Sequence, residues 1–564
     1  MPPSFFLVAR DVARSFGGHV VLDGVDVTIG PRTRIGVMGP NGSGKTTLLR
    51  VLAGLERPDR GAVTPTPRTL RVGYLPQEAE RRRGETLLRF LAQRTGVATA
   101  EAELERSADA LSTREPGAGD AYTAALERYL AVGGPDFASR AAAVCAELDL
   151  SAELLDRETV TFSGGQAARA ALGSILLSTF DVLLLDEPTN DLDFDGLDRL
   201  ERFLGGVAGG VAIVSHDRAF LERTVTSVLE LDAHTHRAGT YAGGFAAYLE
   251  ARELARTRAE QEYEEYRSER ARLEARARAQ RDWADNGVRR ARHDDEADKF
   301  VRGARIGSAQ QLAAKAKITE RALERLETVE KPWQGWQLRL AIADAPRSGD
   351  LVTGLTEAVV RRGAFTLGPV DVEITWAERV AICGPNGAGK TTLLQALLGR
   401  LPLAHGTRQL GRSVVVGEMD QARRRFTLET PVLDTFIAAT ELRVADARST
   451  LAKFGLMADH VLRPAETLSP GERTRAVLAL FAARGVNCLV LDEPTNHLDL
   501  PAIEQLEQAL DASDGTLLLV THDRRLLDAV RITRTVAVTA GTVRTGTQRA
   551  SVGALDHERG RERE

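Results

Sequence analysis

The stretch GPNGSGKTT at Gly39–Thr47 returns almost unchanged as GPNGAGKTT at Gly384–Thr392. The stretch LDEPTN at Leu185–Asn190 likewise returns at Leu491–Asn496. A repeat of this kind indicates that one structural unit is present twice. At 564 residues the chain is also too long for a single hydrophobic core, which stops growing near about 250–300 residues. We therefore predict two large domains built to one plan.

Each copy of the first stretch lies between an apolar run, such as Arg34–Met38, and a run with helical spacing. In a glycine-rich loop at this place, backbone N–H groups surround a phosphate and the helix N-terminus adds a favourable dipole. The loop lysine would reach the β and γ oxygens, and the next threonine, Thr46 or Thr391, would offer its hydroxyl to Mg²⁺. The loops therefore predict two ATP sites. Their candidate residues are Gly39, Pro40, Asn41, Gly42, Ser43, Gly44, Lys45, Thr46 and Thr47, and Gly384, Pro385, Asn386, Gly387, Ala388, Gly389, Lys390, Thr391 and Thr392.

Val182–Asp186 and Cys488–Asp492 are apolar runs without alternation, which is typical of central parallel strands. The carboxylate that ends each strand would bind Mg²⁺ beside the phosphate loop. The following glutamate would accept a proton from the water that attacks the γ-phosphate. Two further apolar strands deliver a histidine to the same edge, as a γ-phosphate sensor. The predicted metal ligands are Asp186 and Asp492, and the predicted catalytic residues are Glu187, Glu493, His216 and His522.

The offset between the two copies changes along the chain. It is 344 from Gln77 to Gln421 but 306 from Ser163 to Ser469, so the first copy carries 38 extra residues in this interval. Within the excess, Ala100–Leu111 and Ala121–Leu130 read as short helices separated by breaker residues. They predict an inserted helical arm at about residues 94–135. It carries seven acidic residues from 101 to 127, which favours a basic protein partner, although an ordinary solvated helix pair has the same pattern.

TFSGGQ at Thr161–Gln166 and TLSPGE at Thr467–Glu472 resemble the signature motifs of ABC ATPases. The resemblance implies that each signature faces the phosphate loop of the other cassette, so that two ATP molecules are shared across the interface. It also implies that Gln77 and Gln421 are Q-loop glutamines near nucleotide and metal. The first site would combine Lys45, Asp186 and Glu187 with Ser469 and Gly471, and the second Lys390, Asp492 and Glu493 with Ser163 and Gly165. Further contact candidates are Gly164, Gln166 and Glu472.

Three departures from the repeat predict unequal sites. Pro470 replaces the usual first signature glycine and lacks an N–H. Asp191 stands where the second copy has His497. Phe16 is a candidate for stacking on adenine, whereas Arg361 at the 345 offset would stack only through its guanidinium plane.

Composition excludes several classes of protein. The net charge of −5 is mild, so any nucleic-acid partner must meet a local basic patch. No run approaches the roughly 20 apolar residues of a membrane helix, and no secretory signal is evident. The three cysteines, Cys145, Cys383 and Cys488, supply neither zinc-binding pairs nor an iron–sulfur motif. They indicate a reducing cytoplasm.

The segment between the cassettes, residues 251–330, is rich in Arg and Glu with helical spacing. Interruptions near Asn286-Gly287 and Gly303 predict a helix–loop–helix linker. From Arg276 to Lys317 there are eleven basic and six acidic residues, which places positive charge near the tip. A solvated coiled coil with i,i+4 ion pairs is the alternative, and it describes the stems. The RNA contact candidates are Arg289, Arg290, Arg292, Lys299, Arg302 and Arg305.

Tandem cassettes, a charged helical linker, an arm in the first cassette only and YAGGF at Tyr241–Phe245 together resemble the ABC-F family across nearly the whole chain. The resemblance implies an α/β fold with two P-loop ABC ATPase domains, each a RecA-like core with antiparallel β and α-helical subdomains, joined by a helical hairpin. The domains would be 1–250, a linker at 251–330, 331–548, and a charged tail at 549–564 that is expected to be disordered.

Family members act at the ribosomal E site. The resemblance thus implies ATP and Mg²⁺ as cofactors, the ribosome as partner, and a linker directed at P-site tRNA, 23S rRNA and the peptidyl-transferase centre. The arm would face the L1 stalk. Since the cassettes pair within one chain, a monomer without membrane insertion is expected. Macrolide-type antibiotic resistance by ribosome protection, a general role in relieving stalled ribosomes, and a soluble ATPase subunit of a drug exporter remain open.

Overall fold

The computed structural model describes residues 5–77, 83–113, 116–148, 150–162, 164–190, 192–233, 235–293, 347–363, 365–496 and 498–547, and within 311–326 it describes 311, 314–315, 317–319, 321–323 and 325–326. Side chains are described there except at 284, 287–293, 420, 421 and 459. The chain forms two compact units. One comprises Met1–Ala246 with Leu338–Glu564, and the other is Ala247–Gln337.

The first cassette contains a six-stranded sheet and a smaller antiparallel sheet. Its strands are β1 (Phe6–Phe16), β2 (His19–Ile29), β3 (Arg34–Met38), β4 (Arg60–Thr66), β5 (Val72–Leu75), β6 (Val182–Asp186), β7 (Gly210–Val214), β8 (Ser227–Leu231) and β9 (Ala238–Ala242). The large sheet has the order β5-β6-β7-β3-β8-β9, parallel except for β9, and the small sheet has the order β2-β1-β4. The strand that leads into the phosphate loop, β3, is therefore central.

The second cassette repeats this topology strand for strand. Its strands are β10 (Leu351–Arg362), β11 (Phe365–Thr375), β12 (Arg379–Cys383), β13 (His405–Leu410), β14 (Val416–Glu418), β15 (Cys488–Asp492), β16 (Thr516–Val520), β17 (Arg534–Thr539) and β18 (Thr542–Thr547). The large sheet has the order β14-β15-β16-β12-β17-β18 and the small one β11-β10-β13. The predicted duplication of an α/β unit is thus confirmed in three dimensions.

The chain also contains α-helices in both cassettes and in the second compact unit. They are α1 (Lys45–Leu52), α2 (Leu87–Arg94), α3 (Val97–Ser112), α4 (Ala118–Ala131), α5 (Phe137–Glu147), α6 (Gly164–Leu176), α7 (Phe194–Gly206), α8 (Arg218–Thr224), α9 (Gly244–His293), α10 (Lys390–Leu397), α11 (Met419–Arg425), α12 (Val432–Thr440), α13 (Val444–Lys453), α14 (Ala458–Val461), α15 (Pro470–Ala483), α16 (Leu500–Asp511) and α17 (Arg524–Ala529). None of the described helices is both long and apolar enough to cross a membrane.

The cores explain why the central strands lack alternation. Every residue of β3, β6, β7 and β16 is buried, because the small sheet and helices cover both faces. In the first cassette, Val37, Leu48 and Leu184 belong to one apolar cluster, and their counterparts in the second cassette form another. These cores hold the carboxyl ends of the strands at one edge, which is where the predicted site residues lie.

The inserted arm contains both predicted helices. They appear as α3 and α4, each beginning three residues earlier than predicted. Arg128 of α4 donates to both carboxylate oxygens of Glu103 of α3 at 2.7 Å, which ties the helices together. The buried residues of the arm are few and small, and the pair leaves most of its acidic surface exposed.

The linker differs from the sequence prediction in one respect. The interruption expected near Asn286-Gly287 is wrong, because α9 continues through both residues to His293. A single helical glycine costs only about 1 kcal/mol, which the surrounding helix-forming residues offset. Exposed ion pairs such as Arg270–Glu274 line the helix, as predicted for the stems. Thr319 donates to Gln280 at 2.9 Å, and both are buried, so a second helical stretch packs on α9 within this unit.

Several predictions fall outside the described part of the chain. They concern the structure at Ser163, Asp191, His497, Gly303 and the tail 549–564. The same is true of the side chains of Gln421, Arg289, Arg290 and Arg292, and of Lys299, Arg302 and Arg305 altogether.

Candidate nucleotide sites between the cassettes

The two phosphate loops have the same local geometry. Gly44 and Gly389 precede helices α1 and α10 with φ angles of 96° and 110°. A Cβ atom on Gly44 would lie 2.8 Å from the Val21 side chain, and one on Gly389 would lie 2.7 Å from the Phe365 ring. Only glycine fits both the backbone conformation and the space.

The lysine of each loop is folded back into it. Lys45 Nζ donates to the carbonyl oxygens of Gly39 and Pro40 at 2.8 and 3.0 Å, and Lys390 Nζ donates to that of Gly384 at 2.8 Å. Both side chains are buried, and this burial lowers the pKa of each. A buried cation inside a ring of backbone N–H groups fits a polyphosphate.

Carboxylates and hydroxyls meet beside the lysines. Thr391 Oγ1 donates to Asp492 Oδ2 at 2.9 Å, and Tyr74 donates to Asp186 Oδ2 at 3.3 Å. Burial raises the pKa of Asp186, against hydrogen bonds from Thr46 and Tyr74 that lower it. No cluster of three or more His, Cys, Asp or Glu side chains that would hold a metal alone occurs among the described residues. A hydroxyl and a carboxylate fit Mg²⁺ that takes its other ligands from phosphates and water.

The glutamate after each strand has a strained backbone. Glu187 and Glu493 have φ angles of 50° and 46°, in the left-handed region that non-glycine residues rarely adopt. Strain of this kind occurs at functional positions, and no residue pattern in the sequence indicates it. Burial raises the pKa of Glu187 to about 7.

The two histidines lie at the same edge but make different contacts. His216 Nε2 is 3.1 Å from Glu187 Oε1. His522 Nε2 is 3.5 Å from Glu493 Oε1 and 2.9 Å from Lys390 Nζ. Burial lowers the pKa of each histidine to about 3, so both are neutral at physiological pH.

The cassettes meet head to tail at the second site. A Cβ atom on Gly165 would lie 3.1 Å from Asn386 Cβ. A cavity of about 250 Å³ lies at this interface and is lined by residues of both cassettes. The first cassette contributes Gly164, Gly165 and His216, and the second contributes Asn386, Gly387, Glu493 and His522. The signature of one cassette thus opens onto the phosphate loop of the other.

Each phosphate loop is also bound by an aspartate from the opposite cassette. Asn386 N–H donates to Asp193 at 2.9 Å, and Asn41 N–H donates to Asp499 at 3.1 Å. Partial burial acts to raise the pKa of Asp193, but hydrogen bonds from Asn386 and Gly196 hold it below the usual value. The two cassettes are therefore related by a pseudo-twofold axis.

Comparisons with known proteins identify the two cassettes. A family model described as ABC transporter matches residues 22–190 and 367–496. The chain is 36% identical over 540 residues to the tylosin resistance ATP-binding protein of Streptomyces fradiae, covering 93% of this chain and 96% of that protein. It is 30% identical over 548 residues to the ABC transporter F family member 2 of Arabidopsis thaliana, covering 94% and 76%. The chain belongs to the ABC-F family.

Two further matches bear on this ABC-F chain. It is 31% identical over 544 residues to the energy-dependent translational throttle protein of Mycobacterium tuberculosis, covering 93% and 90%. A solved structure titled RNase-L Inhibitor superposes with a TM-score of 0.56 at 19% identity, covering 98% of this chain and 93% of that one, which shows the fold. ABC domains bind ATP, and ATP hydrolysis is their general activity.

The unusual signature of the second ABC-F cassette has a structural role. Pro470 occupies the first position of α15, where a missing N–H costs nothing. Ser469 Oγ accepts from the Glu472 N–H at 3.2 Å, and Glu472 Oε2 accepts from the Ser469 N–H at 2.8 Å, which forms a capping box. Arg463 donates to Glu472 at 2.9 Å. The glutamate is therefore neutralised within its own cassette.

The expected counterpart of Phe16 was wrong by one residue. Phe16 pairs with His19 across a two-residue turn, and Arg362 pairs with Phe365 in the same way, so the hairpin counterpart is Arg362 rather than Arg361. Phe16 is 44% exposed, with the Arg14 guanidinium 4.7 Å from its ring centroid. Arg362 and Phe365 both line a pocket of about 480 Å³ over the second phosphate loop. The counterpart was displaced by one residue because the offset was measured from the lysines and not from the tip of the hairpin. Phe365 was missed because it corresponds in that hairpin to His19, which was not a candidate.

Ion pairs between the cassettes were also missed. Arg218 binds Glu507, and Arg524 binds Asp198 at 2.6 Å and Glu201 at 3.4 Å. Each arginine lies two residues after a site histidine, and Arg218 and Arg524 are related by the same offset of 306 residues. Glu201 and Glu507 are related by that offset as well. Of the remaining predicted residues, Gln77 is exposed and Gln166 is half-buried near Gly165 on α6.

Proposed function

We propose that the chain hydrolyses ATP at two composite sites that close between the cassettes. Lys45 and Lys390 bind the β and γ phosphates. Thr46 with Asp186, and Thr391 with Asp492, hold Mg²⁺, together with Gln77 and Gln421. The metal, when bound, supplies charge neutralisation for phosphoryl transfer. The signature residues Ser163 and Gly165, or Ser469 and Gly471, complete each site from the opposite cassette.

In this proposal Glu187 and Glu493 accept a proton from the attacking water. A buried carboxyl with a pKa of about 7 is matched to that task, because a base must be both ionised and basic at working pH. His216 and His522 lie within 3.5 Å of these carboxylates and remain neutral, so each can donate one ring N–H and accept at the other nitrogen. They would sense the γ-phosphate.

The observation that carries the proposal is the packing of Gly165 on Asn386, so close that a Cβ atom on the glycine would lie 3.1 Å from Asn386 Cβ, with Glu493 and His522 lining the same cavity. Residues from two cassettes surround one phosphate loop, so a nucleotide bound there would contact both. Nucleotide binding then favours the closed arrangement, and hydrolysis removes that preference.

We further propose that this cycle serves the ribosome, in the cytoplasm and as a monomer. The similar proteins include one named for tylosin resistance and one named as a translational throttle. The chain would enter the E site with its linker toward P-site tRNA, 23S rRNA and the peptidyl-transferase centre. The exposed acidic arm would meet a basic protein such as the L1 stalk. The greater similarity to the tylosin resistance protein favours ribosome protection against macrolides, and a general translation role is the alternative.

The test is a trap. Glu187→Gln with Glu493→Gln keeps binding but blocks hydrolysis, so the double variant should co-sediment with 70S ribosomes in ATP and be released in ADP. A susceptibility panel with the wild-type chain in a sensitive host should show protection against macrolides. A uniform lack of protection with retained sedimentation would support the general translation role. Loss of sedimentation, with the protein recovered in a membrane fraction, would instead support an exporter subunit.

A further inference from the structure

The first turn of α7 in the first cassette touches the histidine of the second. The rings of Phe194 and His522 have centroids 5.2 Å apart and planes at 76°, an edge-to-face arrangement that aromatic pairs prefer. The Arg524 guanidinium carbon lies 5.6 Å from the centroid of the same Phe194 ring. His522 is only 8% exposed. A side chain from one cassette therefore forms part of the wall around the histidine of the other.

Helix α7 is fixed to the second cassette on both sides of this ring. Asp193 caps the helix by accepting from Gly196 N–H at 3.0 Å, and it accepts from Asn386 N–H as well. One and two turns further along, Asp198 and Glu201 bind Arg524. Positions separated by four and seven residues lie on one helix face. The ring of Phe194 is thus held by contacts before and after it.

The orientation of His522 determines what the second site can do. Its Nε2 atom lies between Lys390 Nζ at 2.9 Å and Glu493 Oε1 at 3.5 Å. Rotation of the ring would change both distances at once. The edge-to-face contact with Phe194 restricts this rotation.

The pseudo-twofold axis supplies an internal comparison. The residue at the 306 offset from Phe194 is Leu500 of the second cassette, which begins α16 and is buried. The ion pair is retained there as Arg218–Glu507, but leucine has no ring. The first site therefore lacks an aromatic group at this position.

We infer that Phe194 of the first cassette is a positioning residue for His522, and that it makes turnover at the second ATP site depend on an aromatic ring from the other cassette. The inference rests on the proposed ATP hydrolysis at composite sites. Because the ring contacts the histidine, its loss should lower kcat and leave KM for ATP nearly unchanged.

The experiment isolates each site before Phe194 is changed. In a Glu187→Gln parent, where only the second site turns over, Phe194→Leu should lower kcat about three- to tenfold with KM within about twofold. Phe194→Tyr should restore kcat, because it restores the ring edge. In a Glu493→Gln parent, where only the first site turns over, Phe194→Leu should change kcat by less than about twofold.

Two controls separate positioning from folding. Phe203→Leu makes the same chemical change on the same helix and should leave both parents unaffected. Leucine is already accommodated at the equivalent Leu500, and thermal unfolding of Phe194→Leu should confirm a folded chain. An unchanged kcat in the Glu187→Gln parent, or equal losses in both parents, would overturn the inference. Absence of turnover in both parents while the wild type is also inactive would instead count against ATP hydrolysis itself.

Discussion

At the scale of single residues, burial rather than hydrogen bonding dominates the electrostatics of both sites. It lowers the pKa of His216 and His522 to about 3 and raises that of Glu187 to about 7. The neutral His216 lies 3.1 Å from the Glu187 carboxyl, which titrates near neutrality, and the neutral His522 lies 3.5 Å from Glu493. These residues therefore link the stability of the closed cassettes to pH.

The lowered pKa values of the two histidines predict how the free energy of unfolding changes with pH. Their pKa is about 6.5 in an unfolded chain and about 3 in the fold, so below pH 6.5 the unfolded state binds more protons. The stability they contribute is complete above pH 6.5 and is lost toward pH 3, by about 1.4 kcal/mol per pH unit for each histidine. Glu187 acts oppositely, since acidification through about pH 7 favours its folded, protonated form.

The histidine contribution is isolated by comparison with His216→Gln/His522→Gln. The double variant should lose less stability than the wild type between pH 6.5 and pH 4.5, because the carboxyl contributions are common to both. Calorimetric Tm values across this range provide the measurement. Parallel curves for the two proteins would contradict the assignment of buried neutral histidines.

At the scale of elements, a buried arginine in each cassette caps the C-terminus of the helix that contacts the other cassette. Arg34 of β3 donates to the carbonyl oxygens of Leu204, Val207 and Gly209, at and beyond the end of α7. In the second cassette Arg379 donates to those of Leu510 and Ser513, at and beyond the end of α16. A cation at a helix C-terminus satisfies carbonyls that have no partner within the helix.

We expect Arg34→Met to lower the free energy of unfolding of the first cassette by about 2–4 kcal/mol, because buried carbonyls lose their donor. Arg379→Met is the matched change in the second cassette. Calorimetry should show a lower Tm for the first unfolding transition of either variant. A Tm shift below about 1 °C would mean that water replaces the guanidinium at little cost.

The arm is the element for which the repeat itself supplies a deletion design. In the second cassette, α12 and α13 are joined only by Glu441, Leu442 and Arg443. Replacing residues 96–133 with that tripeptide should leave ATP turnover within about twofold, since the arm buries few side chains and lies on the surface.

Ribosome co-sedimentation of the trapped protein should weaken on the same deletion, because the acidic surface is removed. A charge-reduced arm with Glu101→Gln and Glu105→Gln is the milder comparison. Loss of ATP turnover in the deleted protein would show that the arm supports the cassette fold, contrary to this expectation.

At the scale of the whole molecule, the cassettes are joined by charged residues on both sides of the pseudo-twofold axis. Arg218 and Glu507 are nearly enclosed, with side chains 10% and 14% exposed, whereas Arg525 and Glu222 are 33% and 47% exposed. Buried pairs are costly to break singly, and exposed pairs contribute little.

Arg218→Ala should therefore destabilise the closed form by about 3–5 kcal/mol, because Glu507 is left buried without its partner. Arg525→Ala is the control and should cost no more than about 1 kcal/mol. The charge-swapped Arg218→Glu/Glu507→Arg protein should recover part of the loss. Fluorescence energy transfer between labelled cassettes in ATP measures closure, and equal effects of the two alanine variants would contradict the argument.

Much of the fold and of the candidate site was predictable from the sequence, for a physical reason. The phosphate loops, the strand-end carboxylates and the duplicated topology each depend on short contiguous stretches whose chemistry tolerates few other residues, as the space around Gly44 and Gly389 shows. Both arm helices followed from periodicity, whereas the break at Gly287 did not occur, because flanking helix formers override one glycine.

The amino-acid sequence by itself determined that this ABC-F chain has two phosphate-binding cassettes, which residues line their loops, and that one cassette carries an arm. Only the tertiary structure decided that Phe194 packs on His522, that Arg218 meets Glu507, and that Phe365 lines the second site. The first two contacts join residues about 300 positions apart, and the third depends on the register of a hairpin. No local pattern specifies such pairs, because they follow from how complete domains and strands are oriented against each other.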